Sequence, residues 1–143
     1  MEKKESKYQI VFGYKNMDFT KVTEMLTNIY WSIGIGEAEV RKAASNSALL
    51  VGVFVDGIQI GYGRVISDKT RFAYLTDIII DEVWRQKGIG SLIVDSILKH
   101  EDFQDVYQWV LATKDAHHVY ERLGFEVIKR PEMWMGIINP RPR

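Results

Sequence analysis

The order of elements written in this sequence predicts an α/β fold, a mixed β-sheet with helices on both faces. Three observations carry that prediction. Two β-rich runs, Leu49–Val55 and 58–66, are joined by Asp56-Gly57, a two-residue loop of the kind that closes hairpins. A third run, Phe72–Ile80, leads through Arg85-Gln86-Lys87-Gly88-Ile89-Gly90 into a helical apolar pattern over 88–100. Around these, extended and helical patterns follow the order β-α-α-β-β-β-α-β-α-β, with one more strand at the end.

Residues 8–14 (YQIVFGY) are β-prone and read as a first strand. Asp18 can cap a helix whose Val22, Met25, Leu26, Ile29 and Tyr30 repeat at helical spacing, and Gly34-Ile35-Gly36 breaks it. A short helix with few large apolar groups follows at Glu37–Ser45. After the hairpin, Ser67-Asp68-Lys69-Thr70 turns the chain into Phe72–Ile80. The helix over 88–100 carries Ile89, Leu92, Ile93 and Ile97 on one face, widened by Val94 and Leu98, so it should be largely buried. Residues 106–112 have the pattern of an internal strand. Asp115 can cap a short helix ending at Leu123, with Gly124 placed just past its end. Residues 125–128 and 133–138 read as two final strands. One domain spanning 1–143 is expected, with flexible ends at 1–6 and 139–143.

Composition narrows the function classes. A chain of 143 residues suits one domain with a proper core. Lys+Arg and Asp+Glu are equal at 19 each, so no bulk field recruits nucleic acid or an anionic membrane. The absence of cysteine excludes disulfides, thiolate metal sites and a cysteine nucleophile. The start, MEKKESK, has no apolar stretch behind it, and no apolar run approaches the length of a membrane span. A cytoplasmic protein without nucleic-acid or membrane partners is expected.

The turn at 85–90 is the most informative segment. The first turn of a helix has amides with no intrahelical acceptor, and the macrodipole adds partial positive charge there. Glycines at 88 and 90 remove the Cβ atoms that would keep a phosphate away, while Arg85 and Lys87 add charge beside it. A plain connecting turn is the competing reading. No Gly-Lys-Ser/Thr closes the segment as in a P-loop, and Ile93 stands where a dinucleotide fingerprint has its third glycine.

Read together with a second segment, the turn resembles a known family. Arg85-x-x-Gly88-x-Gly90 between a strand and a buried helix is similar to motif A of the GCN5-related N-acetyltransferase (GNAT) superfamily. Further on, Ala116-x-x-x-Tyr120-x-x-x-Gly124-Phe125 matches a second segment of that family without a gap. The Asp-Gly hairpin and element order also match, so the resemblance covers nearly the whole chain. It implies a mostly antiparallel sheet with a splayed central strand pair, and acetyl-CoA as co-substrate. The pyrophosphate would be held by the backbone amides of Gln86, Lys87, Gly88, Ile89, Gly90 and Ser91, beside Arg85. The pantetheine arm would pair with the strand at Ile78 and Ile80, and Tyr120 would be the general acid toward the leaving thiolate. The chain departs from the family in having Thr113 where asparagine often contacts pantetheine, and Glu82 where proline often precedes the arginine. Threonine can still donate and accept.

Other candidates come from the residues themselves. Asp77 stands inside an otherwise apolar strand, where an unpaired carboxylate is costly. It is either a base or amine-binding carboxylate, or a partner for backbone or for an arginine such as Arg64. His117 and His118 are neighbours on one helix and point about 100° apart, which is poor spacing for a shared metal, and none is expected. Tyr30 and Trp31, with Phe72 and Tyr74 from the fourth strand, are candidates for an aromatic wall around the acceptor, or simply core. The function expected is transfer of acetyl to a primary amine of a small molecule by direct attack in a ternary complex. A non-catalytic CoA-binding sensor is the alternative. The segment 125–138 offers an edge for a homodimer.

Overall fold

The structure, a computed structural model, describes residues 7–141; of the expected flexible ends at 1–6 and 139–143, residues 1–6 and 142–143 lie outside the described residues. The chain divides into two compact units, Met1–Ala112 and Thr113–Arg143.

The first unit is a five-stranded sheet in the order β1-β2-β3-β4-β5, formed by Gln9–Phe12, Leu49–Val55, Ile58–Ser67, Phe72–Ile80 and Gln108–Leu111. The first three pairings are antiparallel and β4–β5 is parallel. Helices α1 (Phe19–Thr27), α2 (Glu37–Ser45) and α3 (Ile89–Leu98) complete it. The β2–β3 loop has both Asp56 (φ 49°) and Gly57 (φ 79°) in the left-handed region, as a type I′ turn requires.

The sheet is covered on both sides. Gly61 and Gly63 of β3 turn toward α3, where a Cβ on either would meet Ile93 at 3.2 and 3.1 Å. Tyr62, between them, faces the other way and packs with Phe19, Val22, Met25 and Leu26 of α1 and Val40 and Ala44 of α2. α1 starts as its sequence suggests, with the Asp18 carboxylate accepting from the Lys21 amide at 3.2 Å. It stops at Thr27, short of Tyr30, so 28–36 is a loop. β1 is also shorter than expected. Gly13, at φ 97°, ends it, and Tyr14–Asn16 forms a 3₁₀ turn.

The second unit holds α4 (His117–Glu121) and a 3₁₀ turn at Pro131–Met133. Asp115 does not cap α4. The N-cap is Ala116, whose amide donates to the Thr113 hydroxyl at 3.1 Å. The two final strands expected at 125–128 and 133–138 are not formed among the described residues. Both segments are β-prone, but a strand is defined by a ladder, and Arg130 (φ 58°) with Pro131 turns the backbone between them. β5 is therefore the last strand of the sheet, and the β4–β5 pair lies at its edge rather than its centre.

Candidate acetyl-CoA and acceptor site

Everything that marks this site begins with an irregularity in β4. Tyr62 pairs with Ile79 and Arg64 with Thr76, so Gly63 alone opposes both Asp77 and Ile78. Asp77 is the extra residue and takes φ 54°, a conformation that aspartate tolerates better than most side chains. Strict alternation would send Asp77 to the α3 face; the bulge returns it to the face shared by Thr76 and Arg64. The parallel ladder with β5 ends just before this point, at Leu75–Leu111, while β4 runs on to Ile80.

That continuation presents backbone groups at an open edge. The Asp81 amide donates to the Ile60 carbonyl at 2.8 Å, which makes Gly61–Ile80 a non-hydrogen-bonded pair. The Ile80 N–H and C=O therefore point away from β3. Arg85 Nε donates to the Ile80 carbonyl at 3.0 Å, so the first residue of the cradle reaches back to the open edge. The Ile78 and Ile80 side chains lie over Gly63 and Gly61 on the α3 face.

The turn that follows ends in a helix start whose amides are left open. Asp81 caps a 3₁₀ turn at Glu82–Trp84 by accepting from the Val83 amide. Lys21 of α1 bonds its carboxylate and holds it below the usual carboxylate range. Gln86 (φ 62°) and Gly88 (φ 80°) take left-handed conformations that swing the chain into α3. Gly88 is the N-cap and contributes no side chain; the first intrahelical bond runs from the Leu92 amide to its carbonyl. The amides of Ile89, Gly90 and Ser91 thus have no intrahelical acceptor. A Cβ on Gly90 would meet nothing within 4 Å, so the space beside the first turn of α3 is open there. Arg85, Gln86 and Lys87 are all exposed. Uncapped amides, a glycine-lined mouth and cationic flanks fit a pyrophosphate.

On the α1 face a second group of predicted residues comes together. The Asp77 carboxylate accepts from Arg64 Nε at 2.7 Å and from Trp31 Nε1 at 3.1 Å. Of the two readings weighed for Asp77, pairing with Arg64 is the arrangement observed. Tyr30 stands edge-to-face with Trp31, ring centres 5.1 Å apart, and both residues are partly exposed. Phe72 and Tyr74 share the sheet face of Arg64 through their strand register. Sequence reasoning did not single out Tyr62 or Ser47. The Tyr62 phenol is fully buried, pushed up by that burial, and its hydroxyl has no partner among the described residues. Ser47 accepts from Arg64 Nη1 at 3.4 Å and lines an open cavity of about 280 Å³ that also borders Tyr14, Ser45 and Leu50.

In the second unit, the motif around Tyr120 is a helix end. The Phe125 amide donates to the Tyr120 carbonyl and the Gly124 amide to that of Glu121, each at 3.1 Å, with Gly124 at φ 100°. This is a Schellman closure, and the accompanying apolar contact is the edge-to-face pair of Tyr120 and Phe125, 6.0 Å between ring centres.

An open strand edge followed by a glycine-lined helix start has a form that fits an extended, phosphorylated ligand. Residues 30–138 match the family model of the acetyltransferase (GNAT) domain. The chain belongs to the GNAT acetyltransferase family. It is similar to a GNAT-family protein from Xanthomonas campestris, with 32% identity and a TM-score of 0.87 over 93% of this chain and 94% of that one. A GNAT acetyltransferase from Streptococcus pneumoniae shares the fold at 21% identity and TM-score 0.70, covering 95% and 99%. So does a Clostridium acetobutylicum acetyltransferase solved with acetyl-CoA, at 13% identity and TM-score 0.69, covering 92% and 96%. No curated protein matches the sequence. Among the described residues no helix is long and apolar enough to cross a membrane.

Proposed function

We propose that this chain, acting as one domain over 1–143, transfers the acetyl group of acetyl-CoA to a primary amine of a small molecule by direct attack in a ternary complex. The observation that carries the reading is the run from the unpaired edge of β4 to the uncapped, glycine-lined start of α3. The amides of Gln86 to Ser91, flanked by Arg85, would hold the pyrophosphate. The backbone at Ile78 and Ile80 would pair with the pantetheine arm, and Thr113 would contact it further along. When bound, acetyl-CoA supplies an acetyl thioester, a carbonyl open to attack by an amine. Tyr120 is the group assigned to protonate the departing sulfur. The amine must lose a proton, which goes to Asp77 or to water. Tyr30, Trp31, Phe72 and Tyr74 form the acceptor wall. A cytoplasmic location and a homodimer through 125–138 complete the reading.

Calorimetry with CoA and an assay for released thiol test it. Micromolar-range CoA binding that disappears in Gly90→Trp, with thiol released when amines are supplied, is the expected result. CoA binding without thiol release across a broad amine panel favours the non-catalytic sensor. Normal binding by both Gly88→Trp and Gly90→Trp would remove the cradle assignment.

A further inference from the structure

Three liabilities meet where β4 leaves its partner. Asp77 sits in a left-handed conformation inside a strand. It forms an ion pair with Arg64 at 2.7 Å, with side chains only 13% and 16% accessible. Two residues along β3 from Arg64, on the same face, Tyr62 buries a hydroxyl that has no partner among the described residues. A buried ion pair is at best about neutral against an apolar pair, and an unmet buried donor and a strained residue each cost stability. None of the three is needed to close the sheet, and their concentration at one point marks a ligand site.

The pairing also selects the ligand. We propose that the acceptor is a zwitterion, an α-amino acid with an aromatic or large aliphatic side chain, bound by the Arg64–Asp77 pair; this rests on the acetyl-transfer reading above. A simple amine drawn to Asp77 has to strip it from Arg64 and leave the guanidinium without a counter-charge. A simple anion drawn to Arg64 does the converse to Asp77. A zwitterion turns one ion pair into two, its ammonium on Asp77 and its carboxylate on Arg64, and no charge is left alone. The two charged groups of an α-amino acid are separated by a single carbon, which suits protein groups already in contact. Arg64 has fork nitrogens to offer: Nε holds Asp77, Nη1 reaches Ser47, and Nη2 has no partner among the described residues. The Tyr62 hydroxyl, on the same face of the sheet, is a buried donor with no partner among the described residues. Trp31, which bonds Asp77 through its indole N–H, and Tyr30 beside it expose their rings where the amino acid's side chain emerges.

The test compares acceptors that differ only in the carboxylate, L-phenylalanine against 2-phenylethylamine and L-leucine against 3-methylbutylamine. Thiol release from acetyl-CoA and calorimetric binding to the CoA-loaded protein are both read. The amino acid of each pair is expected to exceed its decarboxylated partner on the order of 100-fold, and Arg64→Met to abolish that preference. Equal or better use of the decarboxylated amines overturns the proposal, as does a preference that survives in Arg64→Met. Should Arg64→Met fail to fold, Arg64→Lys keeps the charge without the fork and is expected to reduce the preference; a full preference there counts against the proposal. Amino-acid binding with no thiol release sustains the zwitterion site while overturning acetyl transfer, so the two claims fail separately.

Discussion

Ile78 lies so close over Gly63 that a Cβ added to the glycine would stand 2.6 Å from Ile78 Cδ1. The bulge and the glycine opposite it are therefore one device. The bulge sends Asp77 to the other face and leaves Ile78 over Gly63 on the α3 face, where only a residue without a side chain leaves it room.

Gly63→Ala should destabilise the protein by roughly 1–2 kcal/mol, because the crowding falls on a core already filled by Ile93. CoA affinity should fall with it, since Ile78 belongs to the edge proposed to receive the cofactor. Ile78→Val removes the offending Cδ1, so the double variant should recover much of the loss. Denaturant melts of the two single variants and the double variant read this coupling, and strict additivity would contradict it.

The two cradle glycines should respond oppositely to alanine. Gly90 lies in the first turn of α3 with open space where its Cβ would go, so Gly90→Ala should stabilise the fold by about 0.5–1 kcal/mol. It should nonetheless weaken CoA binding at least about tenfold by filling the mouth of the turn. Gly88 takes φ 80°, and Gly88→Ala should cost about 1 kcal/mol or more. A thermal melt beside a CoA titration separates the two. Loss of stability in Gly90→Ala would show that its missing Cβ serves packing instead.

Tyr120→Phe keeps the ring contact with Phe125 and the backbone bonds that end α4. Turnover should drop about 10²–10⁴-fold while CoA affinity stays near the parent value. Single-turnover thiol release is the readout, and undiminished turnover would end the acid role.

Acid should loosen the β3–β4 turn in a defined window. The Asp68 carboxylate accepts from the amides of Thr70, Arg71 and Phe72, which lower it from 3.8 to about 2. A depressed native value means stability that is present above the ordinary range and is lost as pH falls from about 4 toward 2. Asp68→Asn keeps an acceptor but cannot titrate. Its melting temperature should lie below the parent's at neutral pH and converge on it near pH 2; parallel curves would exclude the linkage.

The Asp-Gly hairpin, the Asp18 cap and the spacing of Ile89, Ile93 and Ile97 were legible in the sequence because each depends on a few adjacent residues. The shape of the turn at 85–90 was legible for the same reason, since its left-handed Gly88 and uncapped helix start follow from local chain chemistry. The bulge was not. Nothing in Thr76-Asp77-Ile78 says which residue is extra; the register with β3 and the space over Gly63 decide it. Asp77 could therefore be named as out of place in an apolar strand, and Arg64 as a partner, while the side of the sheet they meet on stayed hidden. The last two strands failed for the opposite reason. Their β-prone residues promise pairing, and pairing requires a neighbour that local sequence does not specify.

The closure at the end of α4 bears on how the Tyr-Gly-Phe segment is inherited. Gly124 and Phe125 are held by the geometry of stopping a helix, and so is the ring of residue 120; the acid role proposed above rests on its hydroxyl alone. A descendant that abandoned catalysis would be expected to keep the glycine and both rings for folding alone. The mark of lost activity would be a single oxygen, tyrosine giving way to phenylalanine at one position.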